Sequence, residues 1–514
     1  MLKYDLTDLG YKYKGAATVP SKEIKLNGWD VINIPQDIDD EKVKNDVTVF
    51  LNGVYAIEIP TSYICNLRCE YCYIDDPRMK SKKVSKDSVT KILIELEKMF
   101  PNYKKDADIG DHKRYFSPWG AEPFMNVETL EAIYEFAHDT YGANKYLINT
   151  STNGTIWNDR IDKFLENLLK DDAMKRIQVS LDGPPEIQNK NRPYLNGKPS
   201  FDDVAEFVDN LYRLSKDLKI NRRLHTICST IHLQGDNFDK EWVAAAEFFS
   251  EPNKWWTTAP YLPMRMSGED MYGEDEVNRF INSQRLLVDV VKKRAEQDIP
   301  LLDFYSSRLF ASMDCKSRNS FPYCSAMNSQ MGIDIDGSMY PCHGAMTTPK
   351  YKPWLWFGNI FDKTIDYSKL VRNLHYQYNT WNRGKCVSCE IYHYTSGSIC
   401  WSCAPHNLAV SGEPTIDNIM KCKAYTESFK YWVEISKMYI ENPILDEIKM
   451  DNIIKSKNMI KAINNTDMHY DRNYDGIISG SIEKTCNCDI EIKDMYYVDD
   501  WWVFDDFFEM TSKK

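Results

Sequence analysis

Six times between about residue 55 and residue 300 the chain passes from a short β-rich run into an amphipathic helical pattern, and that alternation leaves few foldings open. Strand patterns fall at 56–61, 114–117, 145–151, 176–181, 223–230 and 256–262. Helical periodicity follows at 86–99, 127–141, 158–170, 201–218, 239–250 and 273–297. Asn126 and Asn158 stand at the expected N-cap positions, where a short side-chain oxygen can take up an unpaired amide of the first turn. Successive parallel strands need long crossovers, and helices of this length supply them. The expected architecture is therefore α/β, a partial (β/α)6 TIM barrel, with reactive groups in the loops at the carboxyl ends of its strands.

The flanks read differently. Residues 1–54 form an N-terminal extension, and VTVFLNGVYAIEI (47–59) has the pattern of a β-hairpin turning at Asn52-Gly53. After residue 300 helical periodicity fades. IDIDGSMYPC (333–342) reads as a second hairpin, with Asp336-Gly337 at its turn, inside a cysteine-rich region of 301–425. Helical stretches at 425–441 and 446–464 follow, then a tail at 489–510 that interleaves acids with aromatics. Residues 426–514 are thus expected to be a helical C-terminal extension. The tail is expected to dock on the body through its aromatics; recruitment of a partner or leader peptide is the alternative. The net charge of −12 argues against a nucleic-acid partner. No apolar run is long enough to span a membrane, and MLKYDLTDLGYKYKG lacks the apolar core of a signal peptide, so a cytoplasmic location is expected.

The fourteen cysteines carry the chemistry. A reducing compartment disfavours disulfides, and clustered thiols there point to metal or iron–sulfur ligation. Three stand in Cys65-Asn-Leu-Arg-Cys69-Glu-Tyr-Cys72, just beyond the first expected strand. Three thiolates on a four-iron cluster leave one iron open to a substrate or cofactor. Eight more lie between Cys315 and Cys422. Cys228 falls in the fifth strand and reads as a core residue. Cys486 and Cys488 fit neither group.

The triad, with Tyr71 before its last cysteine, resembles the signature of radical S-adenosylmethionine (SAM) enzymes. In that family the open iron is chelated by S-adenosyl-L-methionine, one electron from the cluster cleaves the sulfonium, and a 5′-deoxyadenosyl radical abstracts hydrogen from the substrate. Gly120-Ala121-Glu122-Pro123, after the second strand, resembles the GGEP segment, with Ala121 replacing its second glycine. The resemblance assigns its backbone and the Glu122 carboxylate to the methionine ammonium. Ser151-Thr152-Asn153-Gly154 is similar to the family's TNG element. Ser180-Leu181-Asp182-Gly183-Pro184 resembles SLDGP, which implies Ser180 and Asp182 near the ribose and substrate, and Asn191-Arg192 also fits. The resemblance covers about residues 55–300.

The later cysteines resemble a SPASM domain, an extension with two auxiliary four-iron clusters in peptide- and protein-modifying members. Cys386-Val-Ser-Cys389 and Cys400-Trp-Ser-Cys403 are separated by ten residues, a longer spacing than usual. The resemblance implies that Cys315, Cys324, Cys342 and Cys403 hold the nearer auxiliary cluster and that Cys386, Cys389, Cys400 and Cys422 hold the outer one. Paired CX2C is also zinc-like, so zinc is the competing reading of this region. Sulfatase-maturing relatives carry an aspartate, proposed as general base, where His343 follows Cys342 here. His343 is accordingly a candidate acid–base group or a hydrogen-bond donor to a cluster sulfur.

The cofactors implied are three [4Fe-4S] clusters, one of them SAM-binding, and S-adenosyl-L-methionine. The partners implied are a peptide or protein substrate and a reductase of flavodoxin or ferredoxin type. The expected function is maturation of a peptide or protein side chain by crosslinking, thioether formation, epimerisation or dehydrogenation. Alternatives are the same chemistry on a small molecule, formylglycine formation, and, from another class, a non-catalytic iron–sulfur electron carrier.

Overall fold

The computed structural model describes residues 21–72, 74, 84–99, 113–174, 176–220, 224–231, 237–249, 274–297, 326–327, 330–347, 355–371, 373 and 419–441. Outside these fall the expected strand at 256–262, the helical stretch 446–464, the acidic–aromatic tail, and Cys315, Cys324, Cys386, Cys389, Cys400, Cys403, Cys486 and Cys488.

The alternating strand–helix region follows the expected order. Strand β3 (Ala56–Ser62) pairs in parallel with β4 (Arg114–Gly120), and β4 with β5 (Tyr146–Ile148). β6 (Ser151–Thr152), β7 (Ile177–Ser180) and β8 (His225–Cys228) make a separate three-stranded parallel sheet. The third expected strand is therefore broken between β5 and β6. Pro118 of β4 explains the break: it has no amide to give, and its carbonyl accepts from Thr150 Oγ1 at 2.9 Å instead of from a ladder amide. The helices α2 (Lys86–Met99), α3 (Val127–Tyr141), α4 (Asp159–Lys170), α5 (Pro185–Asn191), α6 (Phe201–Asp217), α7 (Phe238–Phe249) and α8 (Glu274–Ala295) follow in the expected succession, with α5 added. Every residue of β3 is buried, as befits a strand covered on both faces.

The other edge of β3 departs from the barrel expectation. The hairpin β9 (Gln330–Ile333) and β10 (Ser338–Tyr340) docks there, β9 running parallel to β3 with Ala56 opposite Gln330. β11 (Gly358–Asn359), β12 (Thr364–Asp366), β2 (Trp29–Pro35) and β1 (Ser21–Leu26) extend the same sheet to nine strands. The result is a mixed sheet, and no closed barrel forms among the described residues. The turn of the β9–β10 hairpin contains Gly337, at φ 84°, as the Asp-Gly signal predicts.

The other predicted hairpin is not formed. Residues 40–53 are a helix, α1 (Asp40–Gly53), and Asn52-Gly53 is its last turn. Val43, Val47 and Phe50 recur at helical spacing and are buried, and Asp39 caps the helix by accepting from the amides of Glu41 and Lys42. A two-residue Asn-Gly turn occurs earlier, at Asn27 (φ 50°) and Gly28 (φ 85°), between β1 and β2. Asn158 caps α4, accepting from the amides of Arg160 and Ile161, both at 3.1 Å. Asn126 does not cap α3: its Nδ2 donates to the carbonyls of Thr61 at 2.7 Å and Val84 at 2.8 Å, pinning the end of β3.

α9 (His343–Thr347) follows β10. α10 (Ile419–Glu441) lies against α8, where Trp432 Nε1 donates to Gln284 Oε1 at 3.0 Å in a buried contact. It begins before the helical stretch expected from sequence and includes Cys422. Among the described residues no helix is long and apolar enough to cross a membrane.

Candidate active site

The cysteine loop leaves the carboxyl end of β3 and is fixed by its main chain. Arg68 N donates to Pro193 O at 2.9 Å, Glu70 N to Asn191 O at 3.0 Å, and Leu195 N to Asn66 O at 3.0 Å. The loop thus runs along the segment after α5, so the region resembling SLDGP and its Asn-Arg sequel serves as its backing. Cys65 and Cys69 lie close enough to influence each other electrostatically, as do Cys69 and Cys72. Burial, then the nearby Glu122 carboxylate, pushes the Cys65 thiol up to about 12. Cys69 is also raised by burial, against the pull of Arg192.

These residues fit an iron–sulfur cluster by their chemistry. Three thiols share one eight-residue loop, and two N–H groups point at the Cys65 sulfur: Leu67 N at 3.4 Å and Asn153 Nδ2 at 3.7 Å. Donors of this kind stabilise a metal-bound thiolate. Among the described residues no three His, Cys, Asp or Glu gather tightly enough for a single metal ion. A four-iron cluster makes a different demand, because each thiolate binds its own iron.

Gly120 ends β4 against β3. A Cβ there would lie 1.9 Å from the Ser62 carbonyl oxygen, so no larger residue fits without moving the backbone. The close approach lets Ala121 N donate to Ser62 O at 2.8 Å and Glu122 N to Ile64 O at 3.2 Å, one residue from Cys65. Glu122 is buried and accepts from three directions: Phe124 N at 3.0 Å, Thr152 Oγ1 at 2.8 Å and Asn153 N at 2.6 Å. Burial nevertheless pushes its carboxyl up to about 7, with the hydrogen bonds opposing. Asn153 completes the connection, its Nδ2 donating to Asn66 Oδ1 at 2.8 Å. Ser151 opens β6 opposite Gln178, and Ser180 closes β7 opposite Cys228.

Asp182 and Tyr71 form a buried centre beneath the loop. Tyr71 donates to Asp182 Oδ2, Thr230 N donates to Oδ1 at 3.1 Å, and Arg192 Nη1 lies 3.8 Å from Oδ1 while donating to the Tyr71 oxygen at 2.9 Å. Burial raises Asp182, with Arg192 opposing. Burial disfavours the Arg192 charge, but Cys69, Tyr71 and Asp182 outweigh it and hold the guanidinium charged. The Asp182 side chain is thus buried and accepts from Tyr71 and the Thr230 amide.

Cys342 and His343 lie just beyond the end of β10. The His343 ring lies tilted against Trp119, with centroids 5.7 Å apart, and Trp119 meets Tyr63 edge-on at 6.2 Å. Tyr63 donates to Asp334 Oδ1 at 2.6 Å. His343 Nδ1 is 2.7 Å from Glu58 Oε1, and its main-chain amide donates to Glu58 Oε2. Glu58, Trp119 and Tyr63 were not singled out from sequence. Glu58 carried a usable signal: an acid inside the apolar run AIEIP of a doubly covered strand has to find a partner.

Residues 59–249 match the Radical SAM superfamily model. The chain therefore carries a Radical SAM domain and is an enzyme. It is homologous to the cysteine-type anaerobic sulfatase-maturating enzyme of Clostridium perfringens, 23% identical over 396 residues that cover 72% of this chain and 94% of that one. It is 28% identical over 158 residues to an uncharacterized protein of Methanocaldococcus jannaschii, spanning 30% of this chain and 48% of that relative's length. In fold it resembles the solved structure of native anSMEcpe with bound AdoMet and Cp18Cys peptide, with a TM-score of 0.52 and 18% identity over 74% of this chain and 99% of that one. The family implies a [4Fe-4S] cluster and S-adenosylmethionine.

Proposed function

We propose that this radical SAM enzyme modifies a side chain of a peptide or protein, through a partial barrel followed by a SPASM domain in the cysteine-rich region 301–425. In this reading Cys65, Cys69 and Cys72 hold the SAM-binding cluster. Gly120, Ala121, Glu122, Ser151, Asn153 and Ser180 line the S-adenosylmethionine site. Cys342 and Cys422 join the six cysteines outside the described residues in holding two auxiliary clusters. Bound together, the first cluster and S-adenosylmethionine supply a 5′-deoxyadenosyl radical that abstracts hydrogen from substrate. The chain's own residues do the arranging. Asp182 and Arg192 fix Tyr71 under the cysteine loop, Gly120 brings the Glu122 carboxylate beside Cys65, and His343 is the candidate for holding or moving a proton. A flavodoxin- or ferredoxin-type reductase is the electron donor.

One observation carries the reading: the Ala121 and Glu122 amides bind the main chain leading into Cys65, so a buried carboxylate and three thiols occupy the carboxyl ends of adjacent parallel strands. Support for a peptide substrate comes from the extent of the likeness. The match to the C. perfringens enzyme covers 94% of that protein and is far longer than the Radical SAM domain. The solved relative of similar fold was captured with a peptide. Formylglycine formation is the second reading, favoured by the same match.

The test is anaerobic. Reduced, reconstituted protein is expected to convert S-adenosylmethionine to 5′-deoxyadenosine, and Cys65→Ala is expected to abolish this. Absence of 5′-deoxyadenosine from protein with a full first cluster would leave only the electron-carrier reading. Mass analysis of Cys- and Ser-containing peptides then separates formylglycine formation from other side-chain modifications.

A further inference from the structure

Glu58 is the one described acid inside β3, and both of its oxygens are directed at a single residue 285 positions later in the chain. Its carboxylate is buried, with 6% of the side chain exposed. The contact at Oε1 pairs the carboxyl with the Nδ1 of the His343 ring, one of the two hydrogen-bonding positions an imidazole offers. The contact at Oε2 takes the main-chain amide of the same residue. A backbone bond and a ring bond together fix where residue 343 sits and how its ring is turned. A tilted contact with Trp119 of β4 meets the ring from a second side. The β9–β10 ladder ends at Tyr340, opposite Gly332, so the corner lies beyond the ladder, where buried Ala345 and Met346 and the Glu58 contacts hold it.

We propose that Glu58 is a positioning residue that docks the Cys342–His343 corner onto the first barrel strand. It thereby sets the placement of Cys342, and of the group that Cys342 ligates, relative to the cysteine loop. This deepens the reading given above and rests on it for the statement that Cys342 is a cluster ligand. The arrangement explains why a histidine can occupy this corner: a buried acid on β3 supplies the complementary partner for both its amide and its ring.

The experiment uses the reconstituted full-length protein. Amide exchange followed by mass spectrometry should show peptides spanning 338–347 exchanging at least tenfold faster in Glu58→Ala than in wild type, with peptides of β4 unchanged. Glu58→Gln should behave much closer to wild type. Its carbonyl oxygen can still accept from the His343 amide, and its NH2 can donate to Nδ1 with the ring proton on Nε2. The auxiliary-cluster electron paramagnetic resonance signal should change in Glu58→Ala, while the shift of the first cluster's signal on adding S-adenosylmethionine should persist. If Glu58→Ala does not fold, His343→Ala removes the ring contact alone and should give an intermediate exchange rate. Wild-type exchange in 338–347 and a wild-type auxiliary signal in Glu58→Ala or His343→Ala would overturn the proposal. An unchanged iron content in Cys342→Ala would instead remove Cys342 from the ligand set, and the exchange result would still stand for Glu58.

Discussion

Replacing Glu122 by Gln separates two things that one carboxylate does. In the fold it accepts from Phe124 N, Thr152 Oγ1 and Asn153 N, with backbone donors on both oxygens. An amide offers one acceptor oxygen, so its NH2 must face either the Asn153 or the Phe124 N–H. Leaving such a donor unmet costs about 1–3 kcal/mol. Against this, the carboxyl sits at about 7 rather than 4.5, so keeping it ionised costs about 3.4 kcal/mol. Gln removes that cost. The two contributions nearly cancel above neutrality, and Glu122→Gln is expected to change fold stability little at pH 8. Binding of S-adenosylmethionine should not cancel. A lost charge-assisted hydrogen bond to its amino group is worth about 1.5–3 kcal/mol, or roughly ten- to a hundredfold in affinity. The sign with pH follows. A carboxyl raised in the folded state favours folding below its unfolded pKa, and that contribution is lost as pH rises through about 7. Between about pH 4.5 and 7 the cofactor-free wild type should therefore lose stability relative to Glu122→Gln. Equilibrium dialysis with S-adenosylmethionine, iron analysis and denaturant melts at pH 5 and pH 8 measure all three quantities. Unchanged affinity with an intact cluster would refute the assignment, and parallel loss of iron and affinity would show that the residue serves the fold alone.

Gly120→Ala places a methyl 1.9 Å from the Ser62 carbonyl oxygen and should separate β4 from the cysteine loop. Lower thermal stability and lower iron incorporation than wild type are expected, and a variant with wild-type values for both would contradict the packing argument. Anaerobic reconstitution is expected to yield about twelve iron and twelve sulfide per chain, since each four-iron cluster holds four of each. Joint replacement of Cys65, Cys69 and Cys72 by Ala should remove about four of each. Stoichiometric zinc with no more than four irons would defeat the auxiliary-cluster reading.

What the sequence revealed and what it concealed divide along physical lines. Helices such as α4 and α6 were legible because their apolar positions recur at helical spacing over three or more turns, and folding buries that stripe. The Radical SAM domain was legible because its motifs each put a particular residue type at the end of a strand. The break between β5 and β6 was not, since it depends on a proline in the neighbouring strand. The Asn-Gly rule shows the boundary most clearly. At Asn27-Gly28 both residues have the positive φ that a two-residue turn needs, whereas Asn52-Gly53 ends a helix. The dipeptide permits a turn without requiring one. Asp39 as a cap, with Val43, Val47 and Phe50 on one buried face, settles the second case in favour of helix.

Long-range pairing was the least legible. Nothing near Glu58 in sequence names His343, because the contact depends on β9 docking parallel to β3 rather than on a local pattern. The motif resemblance assigns Asp182 to the ribose and substrate; the fold adds partners that the motif does not name, Tyr71, Arg192 and the Thr230 amide. A motif specifies which residue is needed, and packing decides which of its atoms remain available. That distinction bears on the chemistry. Asp182 accepts from Tyr71 inside the cysteine loop, so Asp182→Asn is expected to disturb cluster assembly before it disturbs any proton transfer. Iron content after reconstitution tests the order: a variant with three full clusters, normal S-adenosylmethionine cleavage and lost substrate turnover would return Asp182 to the reacting groups.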